Sequence, residues 1–277
     1  MANTSCSSGR LPVLLLLLCS GVARLLAAEV ETDPAAAALS PVIIPAVPVP
    51  AGLVTSTHWT NDAGDSVRSV SLLLDGAMTL QVVEQQVAQR SAALTITDLV
   101  SREHALAGIN GGYFKPDFTP CGLVLVQGRE SSALGSSALL SGCLGITPQG
   151  AISLRASSDG EDPRWRSALQ AGPFLIDPGG HLGIRPATSA SPIAPRSMIA
   201  CSAQGRIALI ATSATTLYAL ARCLHDHPEG FGLADVERCL NLDGGPSTSL
   251  VIAGAPPHPA IPEGSRVRTA LVVVAKP

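Results

Sequence analysis

Aromatic and charged side chains are both scarce in this chain. It has four Phe, two Tyr and two Trp in 277 residues, too few for the broad stacking platform of a polysaccharide-binding module. The core must therefore be built from Leu, Val, Ile and Ala. Asp, Glu, Lys and Arg make up 14% of the sequence, the net charge is −3 and no run of Lys or Arg occurs, which argues against nucleic acid as a partner. A small or mostly neutral ligand fits better. Cys-x-x-Cys and His-x-x-x-His spacings are absent too, so cysteine and histidine frame no zinc site. His104, His181, His225, His227 and His258 fall at intervals that single out neither a base nor a metal ligand. No loop motif for calcium is present, and nothing in the sequence asks for a cofactor.

What is present at the start is the layout of an export signal. Arg10 precedes the apolar run Leu11 to Cys19, and small residues follow through Ala23 and at Ala27-Ala28, so residues 1–28 are expected to be a signal peptide. The run is too short for a confident membrane span, which leaves a secreted or periplasmic protein with no stable span after signal removal. Leu18 ahead of Cys19 disfavours a lipoprotein. Residues 29–53 are rich in Pro and Ala and are expected to form an extended leader, because prolines at 41, 45, 48 and 50 suit neither a helix nor a central strand. A single domain is expected over 54–277. It retains Cys121, Cys143, Cys201, Cys223 and Cys239, an odd number that fits two disulfides and one free thiol in an oxidising compartment.

Short apolar runs between turn residues predict many strands. Ser66 to Leu74 and Met78 to Val83, joined by Asp75-Gly76-Ala77, read as a hairpin. So do Ser141 to Thr147 with Ala151 to Arg155, Gly172 to Ile176 with His181 to Ile184, and Met198 to Ser202 with Arg206 to Ala211. Ala107 to Asn110, Gly122 to Val126, Cys239 to Leu242, Thr248 to Ile252 and Val267 to Val274 are further strand candidates. Thr95 three residues ahead of Asp98 marks a helix start, and Thr215 to His225 carries Leu217, Leu220, Ala221 and Leu224 on one helical face. Leu233 to Glu237 reads as a further short turn of helix. The expected class is α+β, with mixed, largely antiparallel sheets and a few helices packed outside.

Two segments share one grammar. Asn110-Gly111-Gly112 and Asp243-Gly244-Gly245 each place a polar side chain at a strand end, then two glycines, where the backbone can turn sharply or lie close to a ligand. Either alone is a common turn. Together they predict two corners of one pocket. Asp117, Glu130 and Asp177 are secondary acidic candidates, each in a turn or on the surface. Gly245-Pro246-Ser247 does not make the Gly-x-Ser-x-Gly elbow of a serine nucleophile.

With these corners in view, the chain resembles the phosphodiester glycosidase family. The matching pieces, in order, are Asn110-Gly111-Gly112-Tyr113-Phe114, Gly122-Leu123-Val124, Ala171-Gly172-Pro173, Arg196-Ser197-Met198-Ile199 and Asn241-Leu242-Asp243-Gly244-Gly245-Pro246-Ser247. The chain departs from the family pattern at Pro246, which has no amide hydrogen to offer, and at Ala200. The resemblance implies hydrolysis of the sugar C1–O bond in a sugar-1-phosphodiester, of the N-acetylglucosamine-1-phosphodiester kind, on envelope polymers or glycoconjugates. Asp243 would steady or activate at the anomeric carbon, and Arg196 would hold the phosphate. Amides of Gly111, Gly112, Gly244 and Gly245 would add an anion nest, with Asn110, Ser247 and Thr248 as polar contacts. The alternatives are a non-catalytic envelope- or exopolysaccharide-binding domain and a phosphodiesterase cleaving P–O, which normally relies on clustered metal ligands.

Overall fold

Uninterrupted apolar runs such as Leu72-Leu73-Leu74, Ile207-Ala208-Leu209-Ile210 and Leu271-Val272-Val273 become strands buried on both faces. The computed structural model describes residues 38–186, 192–256, 261 and 264–277. The expected signal peptide, the first part of the leader and His258 lie outside them. The described residues all fall in one compact unit.

An eight-stranded sheet runs in the order β1 (Ser40–Val49), β2 (Gly52–Thr60), β3 (Ser66–Leu74), β14 (Ile207–Thr215), β13 (Ala194–Cys201), β15 (Arg238–Asn241), β11 (Phe174–Asp177) and β12 (His181–Leu182). A five-stranded sheet holds β7 (Arg129–Ser132), β6 (Val124–Val126), β10 (Ser167–Ala171), β8 (Gly142–Ile146) and β9 (Ile152–Ala156). The third sheet has four strands, β16 (Leu250–Ile252), β5 (Ala107–Asn110), β17 (Thr269–Ala275) and β4 (Met78–Glu84). All three contribute to one core, where Leu72, Leu209 and Leu240 meet Leu144, Leu154 and Leu169, and Leu80, Ile109 and Leu271. Helix α2 (Leu217–Asp226) covers the other face of the large sheet through Leu220 and Leu224 against Ile176, Met198 and Ile210. Helix α1 (Ile96–Arg102) does the same for the four-stranded sheet, packing Leu99 and Val100 on Ala270 and Val272. The Thr95–Asp98 capping box forms as the spacing predicts.

Several expectations change. Among the described residues all strand pairings are antiparallel and only two α-helices form, so the class is predominantly β, not a balanced α+β. Leu233 to Glu237 makes no helix; the short 3-10 turn instead spans Pro228–Phe231. β3 and β4 do not pair with each other. β3 joins β2 and β14 while β4 joins β17, so Asp75-Gly76-Ala77 carries the chain from one sheet to another. Both strands carry consecutive buried residues, Ser69 to Leu74 in β3 and Val82-Val83 in β4, so neither advertises its partner by strict alternation. The described part of the proline-rich segment is a strand, paired from Ser40 onward to β2 ahead of the expected domain start at Val54. Its prolines are tolerated because β1 is an edge strand. All five of these cysteines are unbonded, where their number allows two disulfides, and burial pushes the Cys143 and Cys223 thiols up to about 12. Among the described residues no helix is long and apolar enough to cross a membrane.

Candidate active site

The two glycine corners end strands of different sheets, β5 and β15, and they meet. The Asp243 amide donates to Gly111 O at 3.0 Å, and Asn110 Nδ2 donates to Asp243 O at 2.7 Å. Asn110 Oδ1 accepts from Ser197 Oγ at 2.6 Å and from the Ser249 amide at 3.1 Å. Ser197 in turn holds the second corner, its carbonyl accepting from the Leu242 amide at 2.8 Å. Asn110 is fully buried, so it staples the sheets together and touches no ligand directly.

The first corner is equally closed at its glycines. The Gly111 amide donates to Thr269 O and the Gly112 amide to Thr269 Oγ1, so neither is free for the anion nest expected of them. Glycine is needed there for close approach: a Cβ on Gly111 would lie 2.5 Å from Thr269 Oγ1, and one on Gly112 2.9 Å from Gln170 O.

The second corner is open. Asp243, Gly244 and Gly245 are all half-exposed. The Gly244 amide turns back to Asp243 Oδ1 at 2.9 Å, so it too is unavailable to an anion. Gly245, at φ 60°, has no partner for its amide among the described residues and is the one nest donor that stays free. Ser247 is buried, with its hydroxyl near enough to the Asp243 carboxylate to favour the ionised form. Thr248 is 1% exposed and its Oγ1 has no partner among the described residues, so it faces the interior.

Burial raises the Asp243 pKa; the Ser247 hydroxyl, the Gly244 amide and the charge of Arg90 pull the other way without cancelling it. Arg196, on β13, lies beside Gly244 and near Tyr113. A Cβ on Gly244 would crowd Pro195 O at 3.0 Å, so glycine lets the turn pack closely on β13, within ordinary contact of Arg196 Cδ at 3.7 Å and Nη1 at 3.8 Å. Its Nε donates to Thr215 O at 3.3 Å and Nη2 to Pro192 O at 2.5 Å. Carbonyls fix the fork without neutralising it, and no carboxylate pairs with it among the described residues.

Tyr113 completes the group. Its Oη donates to Gly172 O at 2.7 Å and accepts from Asn241 Nδ2 at 2.7 Å. Burial and then the nearby Asp243 charge push its pKa up to about 12, with Arg196 opposing. The phenol therefore stays neutral at ordinary pH. Tyr113, Asn241 and Arg90 are absent from the residues singled out by sequence, although Tyr113 and Asn241 stand inside the two motifs. Among the secondary acids, Asp117 is exposed and caps its own turn through Thr119, and Glu130 and Asp177 lie exposed on strands β7 and β11.

What gathers here is a half-buried carboxylate, an uncompensated guanidinium, a free amide and a neutral phenol, which suits an anionic ester with an electron-poor carbon beside it. Similar architectures are known. The chain superposes on a hypothetical protein from Synechocystis with a TM-score of 0.59 and 17% identity, covering 80% of this chain and 62% of that one. It spans less than two thirds of that protein. A zebrafish N-acetylglucosamine-1-phosphodiester α-N-acetylglucosaminidase catalytic domain, auto-inhibited by its pro-peptide, superposes with a TM-score of 0.60 and 16% identity, covering 88% of this chain and 84% of that one. At such identities the likeness establishes the fold. No curated protein matches the sequence. The family model for phosphodiester glycosidases matches residues 103–274, which takes in both corners, Tyr113 and Arg196. That span is more than half of the sequence, and the chain belongs to the phosphodiester glycosidase family.

Proposed function

We propose that this chain is an exported hydrolase that cleaves the C1–O bond of a sugar-1-phosphodiester, of the N-acetylglucosamine-1-phosphodiester kind, on envelope polymers or glycoconjugates. The observation that carries this reading is a half-buried Asp243 carboxylate on a glycine turn that packs against Arg196, a guanidinium with no carboxylate partner among the described residues. In the reaction the C1–O bond breaks and its electron pair stays on the oxygen, which leaves as part of a phosphate monoester. Water supplies the new oxygen at C1 and releases one proton. The anomeric carbon is electron-poor as the bond breaks, and the Asp243 carboxylate is the group that steadies it or draws the proton from water. Arg196 meets the charge gathering on the departing phosphate. A phosphate ester is already a good leaving group, so the site needs no second carboxylic acid to protonate it. Tyr113, held by Asn241 and Gly172, walls the carboxylate and keeps it partly dry.

Hydrolysis in oxygen-18 water tests the bond that breaks. Label is expected in the C1 hydroxyl of the released sugar; label confined to phosphate would replace the glycosidase with a phosphodiesterase. Export is tested by the N-terminus of the mature protein, expected after Ala23 or Ala28 in the extracytoplasmic fraction.

A further inference from the structure

Arg90 opens a short 3-10 turn, Arg90–Ala92, ahead of the family match that begins at residue 103. Its guanidinium is held at several points. Nε donates to Arg266 O at 3.1 Å, Nη2 bonds Ser265 Oγ, and the group lies 5.4 Å from the centre of the Phe114 ring. That ring meets Phe118 edge-on at 5.1 Å, and Arg268 covers Phe118 from the far side at 5.7 Å. Arg268 is anchored by Glu84 at 2.7 Å. The result is a ladder, Arg90–Phe114–Phe118–Arg268, with a carboxylate-paired cation at its inner end and, at its outer end, one that has no carboxylate partner among the described residues.

The outer end lies on the turn that carries Asp243. The Ser265 amide donates to Pro246 O at 2.6 Å. Gly264 packs so closely on this turn that a Cβ there would lie 2.7 Å from Ser247 O and 2.8 Å from Thr248 O. Among the described residues no carboxylate forms an ion pair with Arg90, and only two of its N–H groups are engaged. The charge of Arg90 also favours the ionised form of Asp243, as proximity requires. Arg196 borders the same turn at Gly244 from β13.

The geometry points to Arg90 as a second anion-binding residue of the site, which with Arg196 grips the phosphate monoester that departs from C1. This rests on the glycosidase reading above. A phosphodiester carries a single negative charge, while the monoester it becomes carries nearly two at neutral pH. Two guanidiniums suit the second state better than the first, so they assist bond breaking more than substrate capture and leave the enzyme open to inhibition by phosphate monoesters.

Calorimetric titration of the full chain with methyl phosphate at neutral pH tests this, alongside turnover of a sugar-1-phosphodiester. Arg90→Ala should weaken methyl phosphate binding about tenfold or more, as expected for loss of a charge-assisted contact. Arg90→Lys should recover part of it, and affinity for free N-acetylglucosamine should stay unchanged in both. The thermal midpoint of each variant is read in parallel. If Arg90→Ala disturbs folding, the comparison of Arg90→Lys with Arg90→Gln, which differ in charge, decides the matter. Unchanged methyl phosphate affinity in Arg90→Ala or Arg90→Gln, or no binding by the wild type, overturns the assignment. Binding that depends on Arg90 in a protein that hydrolyses no sugar-1-phosphodiester would remove the glycosidase reading and keep the anion site.

Discussion

The corner at Asn110 and the corner at Asp243 are written almost alike and do opposite things. In the first, side chain and glycine amides are consumed by the protein itself, through Asp243 O, Ser197, Ser249 and Thr269. In the second, the carboxylate faces partly outward and the Gly245 amide has no partner among the described residues. The difference lies in what each corner packs against. β5 ends beneath β17, which fills every direction around Gly111 with Thr269. β15 ends at a turn with nothing within 4 Å of the Cβ position of Gly245. A polar residue followed by two glycines specifies a close approach, and the neighbours decide whether the protein or a ligand makes it.

The strongest way to break this comparison is Asn110→Ala. It strands Asp243 O, the Ser249 amide and Ser197 Oγ in a buried place, and about 3 kcal/mol of stability should be lost. Urea unfolding measures it; a loss below about 1 kcal/mol would mean Asn110 is not the staple.

The glycines sharpen the contrast. Gly111→Ala drives a Cβ into Thr269 and should cost about 2 kcal/mol, through overpacking against backbone that cannot yield. Gly245→Ala meets open space but must hold φ 60°, for about 1 kcal/mol. Equal thermal shifts in the two variants would erase the distinction between a closed and an open corner.

The smallest effect is on pH dependence. The pKa of Asp243 is higher folded than unfolded, so below the unfolded value both states are protonated and nothing is lost. Stability then falls as pH rises toward the folded value and stays lowered above it. Asp243→Asn should remove this decline and be slightly more stable than the wild type at neutral pH, as thermal midpoints across pH would show. Turnover should show the mirror image, rising with pH through the elevated Asp243 value and not through the usual carboxylate range.

Much of this architecture is legible in the sequence because it is local. The Thr95–Asp98 box starts α1, and the Gly-, Pro- and Gln-containing turns join β8 to β9 and β13 to β14 as expected. Long-range choices are not legible. β3 and β4 read as a hairpin because the Asp75-Gly76-Ala77 turn looks the same whether the chain doubles back or crosses to another sheet. In the site, Gly244 and Arg196 come from motif blocks and do pack together, while the saturation of Asn110, Gly111 and Gly112 depends on Thr269 and Ser197, which no local pattern connects to them. Arg90 is more remote still, placed by an aromatic ladder whose members are scattered through the chain.

The most direct test of the open corner as the reactive one pairs turnover with affinity in Asp243→Asn, on a sugar-1-phosphodiester that the wild type hydrolyses. Turnover should fall by about 10²–10⁴-fold with substrate affinity held within a few-fold. Retained turnover would place the chemistry elsewhere.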